Sequence, residues 1–148
     1  MVPSQVAVVR CSTYDPQVVR QAVRRAFDLL GGLSAVVQAG KRVLIKPNLL
    51  AARKPEEAIT THPEVMAAVV EEVKLAGGQP FIGDSPGTTR RTIEEIWRAT
   101  GMDQVSRRTG ATLVNIEAGG SCRKSLDGRV YFIARAALDA EVIINLPK

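Results

Sequence analysis

The sequence is poor in cysteine, histidine and aromatic residues. Two cysteines, Cys11 and Cys122, stand far apart among 148 residues, and no C-x-x-C spacing occurs. The usual ligand counts of a zinc site or an iron–sulfur cluster therefore cannot be met by this chain alone. Two isolated thiols fit a reducing compartment, and we expect a cytoplasmic location.

Signal peptides and membrane-spanning runs are also missing from the printed sequence. The first residues lack a charged segment followed by an apolar stretch. No apolar run approaches the ~20 residues that a membrane span needs. These absences predict a protein without a membrane partner.

The charge balance is basic but dispersed. Lys and Arg number 20 against 15 Asp and Glu, which gives a formal charge of +5. The basic residues form no long tract, and few aromatics are available to stack on bases, so a nucleic-acid partner is disfavoured. A mild preference for anionic small molecules is the better interpretation.

Short apolar runs alternate with helical patterns, and this order predicts the fold class. Helices are predicted to begin at Asp15-Pro16, Pro63 and Thr92, and Asp127-Gly128 predicts a hairpin turn. The predicted strands are 5–10, 42–46, 80–82, 112–116 and 141–146. We expect a three-layer α/β domain spanning 1–148, with a mostly parallel sheet, helices on both faces and a small β-hairpin insertion. The chain stops directly after an apolar strand, so we expect a fragment of a longer protein.

Polar residues follow three of the apolar runs. In a parallel sheet these positions lie at the carboxyl edge, where ligands bind. Lys46 and Asp84 are the first candidates for catalysis. Lys46 either holds an anion or acts as a base, or it only reaches to water from a strand end. Asp84 either binds a divalent metal or acts as a general base, or it only caps its own turn. The ligand-binding candidates are Asn48, Thr61, Ser85, Gly87, Asn145 and Lys148.

His62, the one histidine, is the third catalytic candidate. It either shuttles a proton or contacts a ligand, or it only caps the helix that begins at Pro63. Backbone N–H groups at that helix start and in residues 85–89 are expected to attract an anion.

Four segments together resemble a known family. They are Val43–Asn48, Thr60–Val65, Gly83–Gly87 and Leu138–Lys148. In this order they resemble the family catalogued as domain of unknown function 362, of which this chain is similar to the N-terminal portion. The resemblance implies longer members, many with cysteine-ligated [4Fe–4S] clusters, so a cluster is implied only for a longer parent.

Two functions stay open at this point. The domain either binds an anionic small molecule or cofactor at the carboxyl edge, as part of a redox protein, or serves as a non-enzymatic assembly module. In the second case its exposed last strand pairs with another chain, which includes a homo-oligomer.

Overall fold

The computed structural model describes residues 4–87 and 91–148. The helices are α1 Pro16–Leu29, α2 Pro63–Leu75, α3 Ile93–Ala99, α4 Met102–Thr109 and α5 Arg135–Leu138. The strands are β1 Arg42–Pro47, β2 Gln79–Asp84, β3 Thr112–Asn115, β4 Ser121–Leu126, β5 Arg129–Ala134 and β6 Val142–Leu146. Four parallel strands form one sheet in the order β3-β2-β1-β6, and an antiparallel hairpin β4–β5 forms a separate sheet. The predicted α/β class, the parallel sheet and the hairpin are confirmed.

Local sequence signals set the helix starts. Asp15 accepts hydrogen bonds from two backbone N–H groups of the first turn of α1, and Pro16 occupies the first helical position. Thr92 and Glu95 form a reciprocal capping box at the start of α3. These caps satisfy N–H groups that have no partner within a helix.

The two faces of the sheet are covered unequally. On one face, Val43 and Ile45 of β1 are 0% exposed and pack in a core that includes residues of α2 and α4. On the other face, a smaller cluster of Leu44, Phe81 and Ile116 is covered by Ala137 of the short α5. The second helical layer is therefore much thinner than the first.

The predicted strand over 5–10 is wrong. That segment pairs with no described strand, and Val6 and Val8 are 84% and 89% exposed. Ala7 and Val9 instead line a groove with residues of α1. One side of this segment lies against α1. Its buried and exposed residues therefore alternate with a period of two, as they would in a strand.

The last strand is not buried on both faces. β6 lies at the edge of the sheet and pairs with β1 alone among the described strands. Ile143 is 50% exposed, because only the short α5 covers part of that face. In the described part of the chain, no helix is both long and apolar enough to cross a bilayer.

Candidate functional site

Lys46 and Asp84 form an ion pair between the carboxyl ends of β1 and β2. Lys46 Nζ lies 2.7 Å from Asp84 Oδ1, and it also donates to the carbonyl oxygen of Pro47 at 3.1 Å. The Lys46 side chain is 40% exposed, whereas that of Asp84 is 6% exposed. The pair thus places a partly solvated cation above a buried carboxylate.

The second oxygen of Asp84 is also engaged. Asp84 Oδ2 accepts a hydrogen bond of 2.8 Å from the backbone N–H of Leu49, a residue that is 0% exposed. Asp84 therefore fastens the chain just beyond β1 to the end of β2, and it bonds to groups outside its own turn. An ammonium beside Oδ1 opposes a second cation there, and the expected metal contact of Asp84 stays a prediction.

Thr61 connects three segments at the same edge. Its Oγ1 accepts from the backbone N–H of Asn48 at 2.8 Å and donates to the carbonyl oxygen of Leu146 at 2.7 Å. The N–H of Thr61 returns a bond of 3.1 Å to the carbonyl of Asn48. The hydroxyl is thus occupied by the loop after β1 and by the end of β6, and a ligand contact by Thr61 stays a prediction.

His62 is the N-cap of α2. Its Nδ1 accepts from the backbone N–H of Glu64 at 3.2 Å, which requires the neutral ring to carry its proton on Nε2. The His62 ring stacks on that of Tyr14, with centroids 3.6 Å apart and an interplanar angle of 10°. The cap is observed, and Nε2 remains the atom that a shuttle or ligand contact would use.

The first turn of α2 offers fewer backbone donors than the sequence predicts. Pro63 has no N–H, the N–H of Glu64 donates to His62 Nδ1, and those of Val65 and Met66 donate to the His62 carbonyl. Each N–H of this turn therefore has a partner already. The expectation that this helix start would supply donors to an anion is wrong for that reason.

Burial lowers the pKa of His62, and the charge of Lys148 lowers it further. The carboxylates of Glu64 and Glu56 act in the opposite direction. Because the effects that lower the pKa are larger than those that raise it, the ring of His62 is neutral at pH 7 and can donate from Nε2.

The other predicted residues are distributed around this edge. Asn145 is exposed and lies opposite Lys46 in the register between β6 and β1. Asn48 is half-buried, and Lys148 is exposed. Gly87 is exposed with open space around it. Residues 88 and 89 of the proposed anion-binding loop lie outside the described residues.

Three further residues at this edge were not predicted, namely Asn115, Glu117 and Tyr14. Asn115 ends β3 directly opposite Asp84 in the register. Its Oδ1 accepts the backbone N–H of Glu117, whose carboxylate in turn accepts the hydroxyl of Ser85. Asn115 and Tyr14 could have been found from the sequence, because each stands at the end of an apolar run or beside a cap.

The residues present do not fit a resident iron–sulfur cluster. Cys11 is exposed near α1, and Cys122 lies in the hairpin, whereas a [4Fe–4S] cluster needs four thiolates. Across 4–87 and 91–148, no group of three or more His, Cys, Asp or Glu side chains is placed to hold a metal ion.

The family model described as Domain of unknown function (DUF362) matches residues 43–148. The chain belongs to the DUF362 family. The matched range contains all of the residues predicted to form the site, from Lys46 to Lys148.

One curated relative of this DUF362 chain is the thylakoid-associated protein sll1697 of Synechocystis sp. (strain ATCC 27184 / PCC 6803 / Kazusa). It is 35% identical over 145 residues, which cover 97% of this chain and 44% of the relative. The chain thus spans less than half the length of that relative. No solved structure matches this chain.

Proposed function

We propose that the carboxyl edge of the parallel sheet binds an anionic small molecule or cofactor, with Lys46 as the main cation. The observation that carries this proposal is the position of Lys46 Nζ, 2.7 Å from the buried Asp84 and 40% exposed to solvent. A charge held by a buried partner at a strand end is oriented before a ligand arrives, which reduces the entropic cost of binding.

Lys46 has one donor left for a ligand. An ammonium group carries three N–H donors. Among the described residues, one serves Asp84 Oδ1 and a second serves the Pro47 carbonyl. A phosphate or carboxylate oxygen would take the third, in a contact strengthened by charge.

Neighbouring side chains extend the site along the sheet. Asn145, opposite Lys46 on the adjacent strand, offers an exposed amide as donor and acceptor. His62 and Lys148 add a neutral ring with an Nε2 donor and a second cation. In this proposal Asp84 positions Lys46, and its predicted role as a general base stays a prediction.

The resemblance to longer, cluster-bearing family members supports a place within a redox protein. The two cysteines here do not fit a cluster, so electron transfer is assigned to none of these residues. The reducing compartment inferred from the two thiols is consistent with such a role.

Calorimetric titration with inorganic phosphate, phosphorylated metabolites and Mg²⁺ tests the proposal. Lys46→Met should weaken anion binding by about 10- to 100-fold, the value of one charged hydrogen bond. The matched control is Lys41→Met, which removes a lysine next to the opposite end of β1. Absence of anion binding, or equal weakening by both substitutions, would overturn the proposal.

A second candidate function is assembly through β6. This strand forms an edge of the sheet with a half-exposed Ile143, and such an edge can pair with a strand of another chain. Light scattering should then show a mass that rises with concentration, and Ile143→Lys should abolish the rise. A constant monomer mass rules this function out for the isolated chain.

A further inference from the structure

The β4–β5 hairpin combines positive charge with exposed apolar side chains. Residues 121–135 contain four basic residues and one acidic residue, a net charge of +3. Phe132 is 71% exposed and Leu126 65% exposed, although both belong to a regular two-stranded ribbon. Exposed apolar groups of this size on a cationic element indicate an interaction surface.

The cross-strand register places each aromatic of the hairpin beside a cation. Arg123 lies opposite Phe132, and Lys124 lies opposite Tyr131. Because consecutive residues of a strand point to opposite faces, each face of the ribbon carries one such aromatic–cation pair. Ile133 adds a further apolar side chain that is 37% exposed.

The base of the hairpin is held, and its tip extends away from the core. Ala134 packs on the cluster formed by Leu44, Phe81 and Ile116, and the N–H of Arg135 donates to the Gly120 carbonyl at 3.0 Å. The remaining residues of both strands are mostly exposed. A lone two-stranded ribbon has marginal stability in water, so burial of its apolar faces would stabilise it.

We propose that this hairpin docks the protein onto an anionic lipid surface. A flat protein partner would cover one face of the ribbon, whereas the headgroup region of a bilayer surrounds both. Aromatic rings favour that region, and Lys and Arg are attracted to anionic headgroups. Water among the headgroups also satisfies the outer edges of the two strands, which the hydrocarbon core would not.

The apolar content favours lipid over nucleic acid. Leu126, Val130 and Ile133 are aliphatic and exposed, and aliphatic groups do not stack on bases. The expectation of no membrane partner was based on the absence of a membrane-spanning run. Shallow docking to a lipid surface needs no such run. This inference concerns a different surface from the anion site and does not depend on it.

Co-sedimentation of the chain with vesicles of phosphatidylcholine alone, or mixed with phosphatidylglycerol, tests the proposal. We expect binding to the mixed vesicles that weakens as salt is raised. The Arg123→Gln/Lys124→Gln variant should bind about 30-fold more weakly, because each Lys or Arg near an anionic surface adds a comparable amount to the free energy of binding. The matched control, Arg10→Gln/Arg25→Gln, removes two exposed arginines outside the hairpin and should bind as the parent does.

A second variant separates the apolar contribution from the charge. Phe132→Ser should lose the part of the binding that persists at high salt, with an unchanged circular dichroism spectrum as the check on folding. Equal binding to neutral and anionic vesicles, or no binding by the unmodified chain, would overturn the proposal. So would hairpin-dependent binding of DNA or of a second copy in place of vesicles.

Discussion

Lys46 and Asp84 join two neighbouring parallel strands at their carboxyl ends, with Nζ and Oδ1 2.7 Å apart. The pair is asymmetric, because the lysine reaches solvent and the aspartate does not. Asp84 also accepts the N–H of Leu49. The carboxylate is therefore part of the structural framework of this edge, and the ammonium is the group that a ligand can reach.

This asymmetry predicts unequal costs of mutation. Lys46→Met leaves a buried carboxylate with one remaining bond and should lower the free energy of unfolding by about 1–3 kcal/mol. Asp84→Asn keeps an oxygen for the N–H of Leu49 and leaves a lysine that water can solvate, so it should cost less. Urea unfolding of both single variants and the double variant measures the difference and the coupling. The reverse order of costs would contradict this account of the pair.

Removal of the Thr61 hydroxyl should also destabilise the chain. Thr61→Val leaves the Asn48 N–H and the Leu146 carbonyl without their partner and should cost about 1–3 kcal/mol by thermal or urea unfolding. Thr61→Ser keeps the hydroxyl and is the control. A loss for Thr61→Val no larger than that for Thr61→Ser would contradict the dominant contribution of the hydroxyl.

The lowered pKa of His62 predicts a pH dependence of stability. The unfolded chain takes up a proton near pH 6.5, whereas the folded chain keeps the ring neutral to a lower pH. Stability is therefore complete above pH 6.5, falls as the pH drops to the folded pKa, and levels off below it. For one proton the slope is at most about 1.4 kcal/mol per pH unit.

Unfolding measured from pH 5 to 8 tests this, because His62 is the one histidine of the chain. His62→Asn keeps an N-cap acceptor and should flatten the slope in this range. NMR titration of the ring provides the folded pKa directly. A value above 6.5 would contradict the dominance of burial over Glu64.

Gly83 should not tolerate a side chain. A Cβ there would lie 2.8 Å from Cγ1 of Ile116 and 3.1 Å from the carbonyl oxygen of Val114. Gly83→Ala should therefore destabilise the fold by about 1–3 kcal/mol through overpacking. Gly87→Ala is the control, because a Cβ at Gly87 meets nothing within 4 Å. Similar melting temperatures of both variants would refute the packing argument.

The sequence predicted the sheet and which polar residues lie together at its carboxyl edge. Val43, Leu44 and Ile45 are each at most 1% exposed, as a continuous apolar run at the centre of a parallel sheet requires. Since parallel strands end at one edge, Lys46, Asp84 and Asn145 could be placed together before any contact was known. The functional roles of these residues stay predictions.

The remaining features depend on tertiary context that local patterns do not encode. The segment around Val6 and Val8 has the alternation of a strand, but lies against α1 instead of pairing. The sequence allowed His62 to cap α2, but it could not decide between the cap and a ligand contact, because that depends on the orientation of the ring. Which strand became the edge depended on strand order, which apolar content does not reveal.

The hydroxyl of Thr61 has a dynamic consequence. It ties the backbone after β1 to the last carbonyl of β6, while Asp84 ties the next residue to β2. Local opening of any one of these strand ends requires the release of the others. The amide protons of Asn48 and Leu49 should therefore exchange with deuterium at closely matched rates, as parts of one cooperative unit.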